Sequence, residues 1–499
     1  MICRCKSQDR SRELSARIRA ILREPARRSM SRIGVSSRRG FLQGCAAGAL
    51  STLPGAAFAD ERRPVVVMTN HNDDTLSLFE KGFEKAYPQY RVQIVWLMPP
   101  DAMRHLRDAS AQSPDVWWQA APHNHLADMA KDGFMQPLGL FKEGLPAAIG
   151  ALPLEGEGDL FHASQLTAFG FFVNSKAIKA QNLPWPEDWA VLAGPAYAGK
   201  VAMSDPWTVR FGSQLLSVAT QSFGWEKGWA LLSAIAGNAV LMQKGLRDEV
   251  ISGRQPVALH IDTVPNAEQR FRQPMERVYP KHGAIVNAGY IGLLKKAANV
   301  EGARAFAAYV LSAEGQALLP RTDLPRLPVR PDVYAVLGKE QFDPFAAQAA
   351  GQFVYQPTDE SGGRSTAMAA LFNGLVQDKE LLSGLWRRVH AAEAAGRGGS
   401  HVAEARRALE EIPVAADFWK DEAITAAFRP RRRPENAVAP EASPAPQTSA
   451  GQPEQAQVIP GQPNGLTIPE PAKPIIEKWR AAFRENQARA SRLLDEAKA

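Results

Sequence analysis

The chain has 499 residues, enough for two or three domains, and its 45% hydrophobic and 22% charged residues are typical of globular proteins. Its net charge of +7 is concentrated in residues 1–59, which carry 12 Lys and Arg against 3 Asp and Glu, whereas the remainder carries 47 against 49. The three cysteines also lie in residues 1–59. Beyond them the chain is nearly neutral, which argues against a nucleic-acid partner, and it has no disulfide, cysteine nucleophile or thiolate metal site.

The pattern of residues 1–59 is typical of an export signal. Arg38 and Arg39 precede an apolar stretch, 41–53, that is too short for a stable membrane-spanning helix. A twin-arginine pair before a modest apolar region is the pattern of the twin-arginine export pathway. The alternative is a basic N-terminal arm on a cytoplasmic protein.

The small-x-small motif Ala57-Phe58-Ala59 is the pattern that signal peptidase recognises, so cleavage is expected after Ala59. Asp60 would then be the first mature residue, in the periplasm. Met30 is an alternative start that gives a leader of more usual length. Lipoprotein attachment at Cys45 is disfavoured, because Gln43 does not suit that motif.

Apolar runs alternate with segments of helical periodicity along the mature chain. Predicted strands cover 65–68, 91–98, 115–118, 169–173, 201–203, 257–261 and 284–294, and predicted helices cover 76–87, 103–109, a segment ending at Lys131, 215–223, 227–235, 300–311 and 312–319. This alternation predicts an α/β protein with a mostly parallel, covered sheet.

The C-terminal part is expected to be different. Residues 334–428 are mainly helical in pattern, and 429–474 are rich in Pro, Gln, Ala and Ser, which predicts a disordered linker. Residues 475–499 regain helical periodicity. This last amphipathic helix either docks on its own protein or binds a partner, and docking is the simpler interpretation.

Enzyme signatures are absent from the sequence. There is no nucleophile elbow, phosphate loop, zinc-protease motif or dinucleotide fingerprint. His123 and His125 form the closest histidine pair, but side chains two positions apart on a helix point in different directions. Surface or capping roles explain them better than a metal site.

Three polar stretches follow predicted strands, where α/β sheets tend to bind their ligands. Their candidate ligand-binding residues are Asn70, His71 and Asn72 in the first stretch, Ser204, Asp205, Thr208 and Arg210 in the second, and Asp262 and Thr263 in the third. A helix N-terminus with hydroxyls and an arginine suits a carboxylate or a phosphate. Each residue taken alone is more often a cap or a turn residue.

Short segments along the chain match one family in order and spacing. They are Asn70-His71-Asn72 with Phe79, Phe169 to Lys176, Pro186 to Trp189, Tyr197 to Pro206, Gly253 to Asp262, Val286 to Leu294, Leu311 to Gln316, and Leu327 to Arg330 with Tyr334. Through them the chain resembles periplasmic solute-binding proteins of ABC importers, in the group that includes ferric-ion-binding and phosphoglycerate-transport regulatory proteins.

The resemblance implies a type 2 periplasmic-binding-protein fold, in which two α/β lobes close on a ligand. The first lobe would comprise 60–168 plus 284–428 with a mainly helical extension, and the second 169–283. Asn287, in the return strand, joins the candidate ligand-binding residues. Iron binding through adjacent tyrosines is not expected, because no two tyrosines are adjacent in this sequence.

The resemblance implies a monomer without a cofactor that captures a small polar solute and delivers it to an ABC permease in the inner membrane. Arg210 beside Ser204 and Thr208 favours an anionic solute, phosphorylated or carboxylate. His71 would serve either as a group that titrates near neutral pH or as a neutral hydrogen-bond donor. A ligand sensor for a membrane-bound kinase is the first alternative, and an exported enzyme is the second.

Overall fold

A computed structural model of the chain describes residues 62–120, 125–207, 212–261, 275–322, 324–338, 341–352, 363–397, 399–429 and 468–497. The predicted export signal and most of the predicted linker lie outside these residues. Among the described residues, none of the helices has the length and apolar character needed to cross a membrane.

The strands alternate with helices as the sequence predicts. In chain order the strands are β1 (Arg63–Thr69), β2 (Tyr90–Trp96), β3 (Val116–Gln119), β4 (Met135–Gln136), β5 (Ala148–Ile149), β6 (Leu152–Pro153), β7 (Phe161–Asn174), β8 (Val201–Ser204), β9 (Ala239–Met242), β10 (Val257–Ile261), β11 (Met275–Val278) and β12 (Val286–Leu294).

The helices form two sets, one interleaved with the strands and one that follows β12. They are α1 (Asp73–Ala86), α2 (Pro99–Arg107), α3 (His125–Lys131), α4 (Ser175–Ala180), α5 (Trp189–Ala193), α6 (Gly212–Phe223), α7 (Trp225–Asn238), α8 (Leu246–Ile251), α9 (Val300–Leu311), α10 (Ala313–Gln316), α11 (Pro331–Leu337), α12 (Pro344–Ala349), α13 (Arg364–Leu375), α14 (Lys379–Ala394), α15 (Ser400–Glu410), α16 (Glu422–Phe428) and α17 (Lys473–Glu496). Short 3-10 turns lie at Glu157–Asp159, Pro195–Tyr197, Leu319–Arg321, Phe418–Lys420 and Glu470–Ala472.

The sheet of the first lobe has the strand order β2-β1-β3-β12-β7. β1 pairs in parallel with β2 and β3, and β12 is antiparallel to β3. Helix α1 covers this sheet because Leu76, Phe79 and Phe83 recur at three- and four-residue spacing and are buried on one face.

The second lobe has the strand order β7-β10-β8-β9. β8 is parallel to β9 and β10, whereas β10 and β11 are antiparallel to β7. In each lobe a parallel set of strands is therefore followed by an antiparallel crossing strand. This topology is the type 2 fold that the sequence predicts.

The long strand β7 joins the two lobes. Its first half pairs with β12 as far as Ala168, and its second half, from Phe169, pairs with β10 and β11. The hydrophobic cores separate at the same place, because Ala168 belongs to the first-lobe core and Phe169 to the second-lobe core. On the return strand they separate between Ile285 and Val286. On this basis we propose the lobe boundaries 168/169 and 285/286, the second lying two residues beyond the 283/284 expected from the sequence.

The helical extension packs on the second lobe, although the sequence-based division grouped residues 364–428 with the first. Helix α13 contacts α6, and α14 and α15 contact α7. The C-terminal helix α17 lies against α13 and α15, so it docks on its own protein. Its buried face contributes Ile476, Trp479, Phe483, Ala490 and Leu494 to the second-lobe core. The cause is the apolar face of α6 and α7, which the extension covers.

We expect Phe483→Ala to lower the free energy of unfolding by about 3 kcal/mol or more, because it leaves a cavity in a packed core. Phe483 is buried, and its ring stacks on that of Trp229 with centroids 5.9 Å apart. Urea unfolding of the mature chain measures the change. Glu485→Ala, on the exposed face of α17, is the matched control. Equal stability of the two variants would show that the helix adds little to the core.

Candidate functional site

The loop between β1 and α1 lies at the carboxyl edge of the first-lobe sheet. Strand β1 ends at Thr69, and Asn70, His71 and Asn72 lead into α1. The Asn70 side-chain oxygen accepts a hydrogen bond of 2.9 Å from the backbone N–H of Ala120, the residue after β3. This bond holds the loop beside the end of the neighbouring strand.

His71 is buried, with 2% of its surface exposed, and both ring nitrogens are hydrogen-bonded. Nε2 lies 3.0 Å from Gln165 Oε1 and Nδ1 lies 2.9 Å from Thr69 Oγ1. An amide oxygen can only accept, so Nε2 carries the proton and Nδ1 accepts from the Thr69 hydroxyl. The ring also stacks on Trp118, with centroids 3.9 Å apart.

Burial lowers the pKa of His71 to about 3, which outweighs the opposing effect of the Gln165 hydrogen bond. The imidazole is therefore neutral near pH 7, and the titrating alternative considered from the sequence does not apply. With both ring nitrogens bonded inside the protein, His71 positions Gln165 and the loop.

Asn72 and Asp205 have the local roles that such residues most often take. The Asn72 side-chain oxygen accepts a bond of 2.7 Å from the Thr75 hydroxyl in the first turn of α1. Asp205 follows β8, and its carboxylate accepts a bond of 2.9 Å from the backbone N–H of Trp207. Burial raises the pKa of the Asp205 carboxyl. Both side chains thus stabilise turns at the carboxyl edges of the two sheets.

The remaining second-lobe predictions are only partly described. Ser204 is buried as the last residue of β8. Thr208 and Arg210, and Asp262 and Thr263 after β10, lie outside the described residues. These four stay predictions.

Asn287 links the two lobes. It lies on β12 opposite Thr167 of β7, and its side-chain N–H donates to Gln214 Oε1, in the first turn of α6, over 3.5 Å. Two residues further along the same strands, Gly289 lies opposite Gln165. Alternate residues of a strand share a face, so Asn287, Thr167 and Gln165 point to one side of the crossing strands.

The close approach of β3 to β12 requires a glycine at position 289. A Cβ atom there would lie 2.6 Å from the backbone oxygen of Gln119 and 2.8 Å from Gln165 Nε2. The missing side chain lets the Gln165 amide reach His71 and, over 3.4 Å, the Ala120 carbonyl.

The structure therefore brings Asn70 and His71 together around Gln165, and it puts Asn287 on the same face of the crossing strands as Gln165. Sequence reasoning missed Gln165, Thr167 and Gln214. Thr167 carries a signal in the structure, since it is the one residue of β7 that is not fully buried. Along the sequence, Gln165 and Thr167 precede the apolar run from Phe169 and look like a loop, and Gln214 lies in a helix start with no polar pattern of its own.

A metal site has no support among the described side chains, where no group of three or more His, Cys, Asp and Glu residues could hold an ion. His125 begins α3, and His123 lies outside the described residues. The polar groups around Gln165 are amides, a hydroxyl and a neutral imidazole. Such groups bind polar organic or anionic ligands by hydrogen bonds.

Comparison with known proteins shows what the chain is similar to. Residues 131–348 match the family of bacterial extracellular solute-binding proteins, which confirms the resemblance seen in the sequence. The phosphoglycerate transport regulatory protein PgtC of Salmonella typhimurium is 29% identical over 272 residues, which are 53% of this chain and 66% of PgtC, just under two thirds of its length. An uncharacterized protein of Haemophilus influenzae is 25% identical over 170 residues, 33% of this chain and 49% of that protein.

Solved structures of binding proteins also align with the chain. The substrate binding protein of an ABC transporter from Agrobacterium tumefaciens gives a TM-score of 0.49 with 18% identity, over 66% of this chain and 99% of that protein. The periplasmic binding protein AfuA from Actinobacillus pleuropneumoniae gives 0.47 with 16% identity, over 64% and 99%. The fold assignment itself rests on the strand order and the crossing strands described above.

The neutral state of His71 makes stability depend on pH. Its pKa is about 3 in the folded chain and near 6.5 in the unfolded chain, so between these values only the unfolded chain binds the proton. The stabilisation is complete above pH 6.5 and is lost as the pH falls towards 3. We expect His71→Gln to flatten this acid-side decline in urea unfolding measured from pH 7 to pH 4.

The matched control for this experiment is His401→Gln, since His401 is half exposed on α15. It should leave the decline of the wild-type protein in place. An equal decline in the His71→Gln variant would show that another group causes the acid sensitivity.

Proposed function

We propose that the chain is the substrate-binding component of an ABC importer and captures a small polar, anionic solute between its two lobes. One observation carries the proposal: on the crossing strands Gln165 accepts a hydrogen bond from His71 of the β1–α1 loop in one lobe, and Asn287, opposite Thr167, donates to Gln214 of the other. Polar groups from both lobes thus converge at their junction, where a closing pair of lobes would enclose a ligand.

The chemistry of the junction supports an anion. Helix α6 begins at Gly212, close to this junction, and the first N–H groups of a helix favour negative charge. Neutral His71 supplies no positive charge, so charge compensation falls to this helix, to Arg326, whose charge acts on His71, and to the predicted ligand residue Arg210. The name of the PgtC relative refers to the transport of phosphoglycerate, which is an anionic solute of this kind.

The predicted leader favours a site of action outside the cytoplasm. The twin-arginine pattern and the predicted cleavage after Ala59 support export to the periplasm, where the protein would act as a monomer and deliver its solute to an inner-membrane permease. The nearly neutral mature chain supports a partnership with a solute and a permease and no role in nucleic-acid binding. The matching family consists of solute-binding proteins, which favours binding over catalysis.

A second candidate is a ligand sensor for a membrane-bound kinase. Two observations favour it: the relative is named as a regulatory protein of transport, and this chain carries a helical extension on its second lobe. Genes for a permease and an ATPase beside this gene would favour import, and a kinase gene would favour sensing.

A thermal-shift screen of residues 60–499 tests the ligand class. The panel comprises 3-phosphoglycerate, sugar phosphates, phosphonates, carboxylates, polyamines and ferric ion. A ligand that binds the folded chain raises its melting temperature by mass action, and we expect this for the organic anions. Stabilisation by polyamines alone would contradict the proposal.

Asn287→Ala tests the place of binding. We expect it to weaken binding of the stabilising anion about tenfold, the loss of roughly 1.4 kcal/mol that one hydrogen-bonding side chain explains. Isothermal titration calorimetry measures the affinity. Asn486→Ala, on the C-terminal helix, is the matched control and should bind as the wild type does. Arg210→Ala examines the predicted arginine in the same assay, and unchanged affinity would remove Arg210 from the site.

A further inference from the structure

Trp96 is an exposed tryptophan at the edge of the proposed site. It is the last residue of β2 and pairs with Thr69, the last residue of β1. Half of its surface, 51%, is exposed, whereas Trp117, Trp118 and Trp229 are fully buried in the two cores. A large aromatic side chain left in water at the carboxyl edge of a sheet gives up stabilisation that burial would provide.

The indole of Trp96 is held in place by its polar edge. Nε1 donates a hydrogen bond of 2.9 Å to the backbone oxygen of His71, in the β1–α1 loop. The backbone N–H of Leu97 also donates to the Thr69 oxygen over 2.9 Å. The only polar group of the indole is thereby used inside the protein, and the ring faces remain for an apolar contact.

His71 connects this indole to the interior of the site. Its ring lies between Trp118, on which it stacks, and Gln165, to which Nε2 donates, while its backbone oxygen accepts from Trp96. The exposed ring is therefore fixed relative to Gln165 and to Asn70, whose loop it contacts. A pre-positioned aromatic face beside hydrogen-bonding amides is a combination that small-molecule sites use to orient a ligand.

We propose that Trp96 forms an apolar wall of the binding cleft and that the solute is an organic anion with a hydrocarbon face, such as the C–H face of a sugar ring or a short aliphatic chain. This inference rests on the proposed function and narrows its substrate class. An inorganic anion or a hydrated metal ion has no surface to stack on an indole. An organic anion places its charged group among the N–H donors and its carbon skeleton on Trp96.

Matched ligands separate this role from simple anion binding. Glucose 6-phosphate and gluconate carry both an anionic group and a hydrocarbon face, and inorganic phosphate and acetate carry the anionic group alone. In isothermal titration calorimetry we expect wild-type residues 60–499 to bind glucose 6-phosphate more tightly than inorganic phosphate, or gluconate more tightly than acetate. A wild-type protein that binds phosphate or acetate equally well, or that binds none of the four, contradicts the assignment.

Variants of Trp96 then separate a ligand contact from a structural anchor of the loop. Trp96→Ala removes the ring and the hydrogen bond, whereas Trp96→Phe keeps an aromatic face and removes only the bond to His71. We expect Trp96→Ala to weaken binding of the organic anion about tenfold or more, which corresponds to about 1.4 kcal/mol, and Trp96→Phe to stay within about threefold of the wild type. Equal losses in both variants would assign the residue to the loop anchor and overturn the proposal.

The control is Trp185→Ala, which removes another exposed indole, 40% exposed, from the second lobe before α5. It should leave affinity unchanged. Far-UV circular dichroism and ligand-free melting curves establish that each variant is folded. If Asn287→Ala weakens binding while Trp96→Ala does not change it, the proposed function stands and the apolar wall is wrong. If Asn287→Ala also has no effect, the proposed site itself is wrong.

Discussion

The antiparallel pairing of β7 with β12 is the interaction on which the rest of the molecule depends. β12 is buried along its whole length, and β7 is buried at every position except Thr167, so every backbone group of the two strands needs a partner within the sheet. Because β7 runs on into the second lobe, where it pairs with β10 and β11, one continuous strand connects two separate hydrophobic cores. The polar residues on this ladder are consequently placed at the junction of the lobes by the backbone itself.

The buried polar groups beside this ladder form a chain in which each member satisfies the next. Thr69 donates to His71, His71 donates to Gln165, and Gln165 donates to the backbone oxygen of Ala120. The backbone N–H of Ala120 donates in turn to the side-chain oxygen of Asn70. A protonated His71 would carry charge in a dry environment, which is why burial keeps the ring neutral. The neutral imidazole gives the loop a defined geometry without adding charge to the cleft.

The sequence predicted the architecture well where local pattern and tertiary environment agree. Strand β10 and helix α9 have the predicted limits, because their apolar periodicity is uninterrupted. Strand β7 was predicted from Phe169 only, although it begins at Phe161. Its first half contains Ser164 and Gln165, which are buried and bonded to Trp118 and His71, and no local signal reveals such distant partners.

The candidate site was predictable to a smaller extent for the same reason. The positions of Asn70 and Asn287 follow from the rule that ligands bind at the carboxyl ends of strands and from the family resemblance. The inward role of His71 depends on Trp118 and Gln165, which are distant in sequence, so a titrating role could not be separated from a neutral one. The packing of α13 on α6 was equally hidden, because an amphipathic helix shows which face is buried and not which surface buries it.

The position of the helical extension has a consequence for how the lobes can move. Most of the buried apolar side chains of α13 to α17 belong to the second-lobe core, together with those of α6 and α7. The extension therefore enlarges the core of one lobe, while the two crossing strands carry the connection between the lobes. A lobe with a larger core resists internal deformation, so relative motion concentrates in the backbone near Ala168 and Ile285, where the cores separate. Helix α6, which begins beside Asn287 and packs on α13, then moves with the whole extension as one unit.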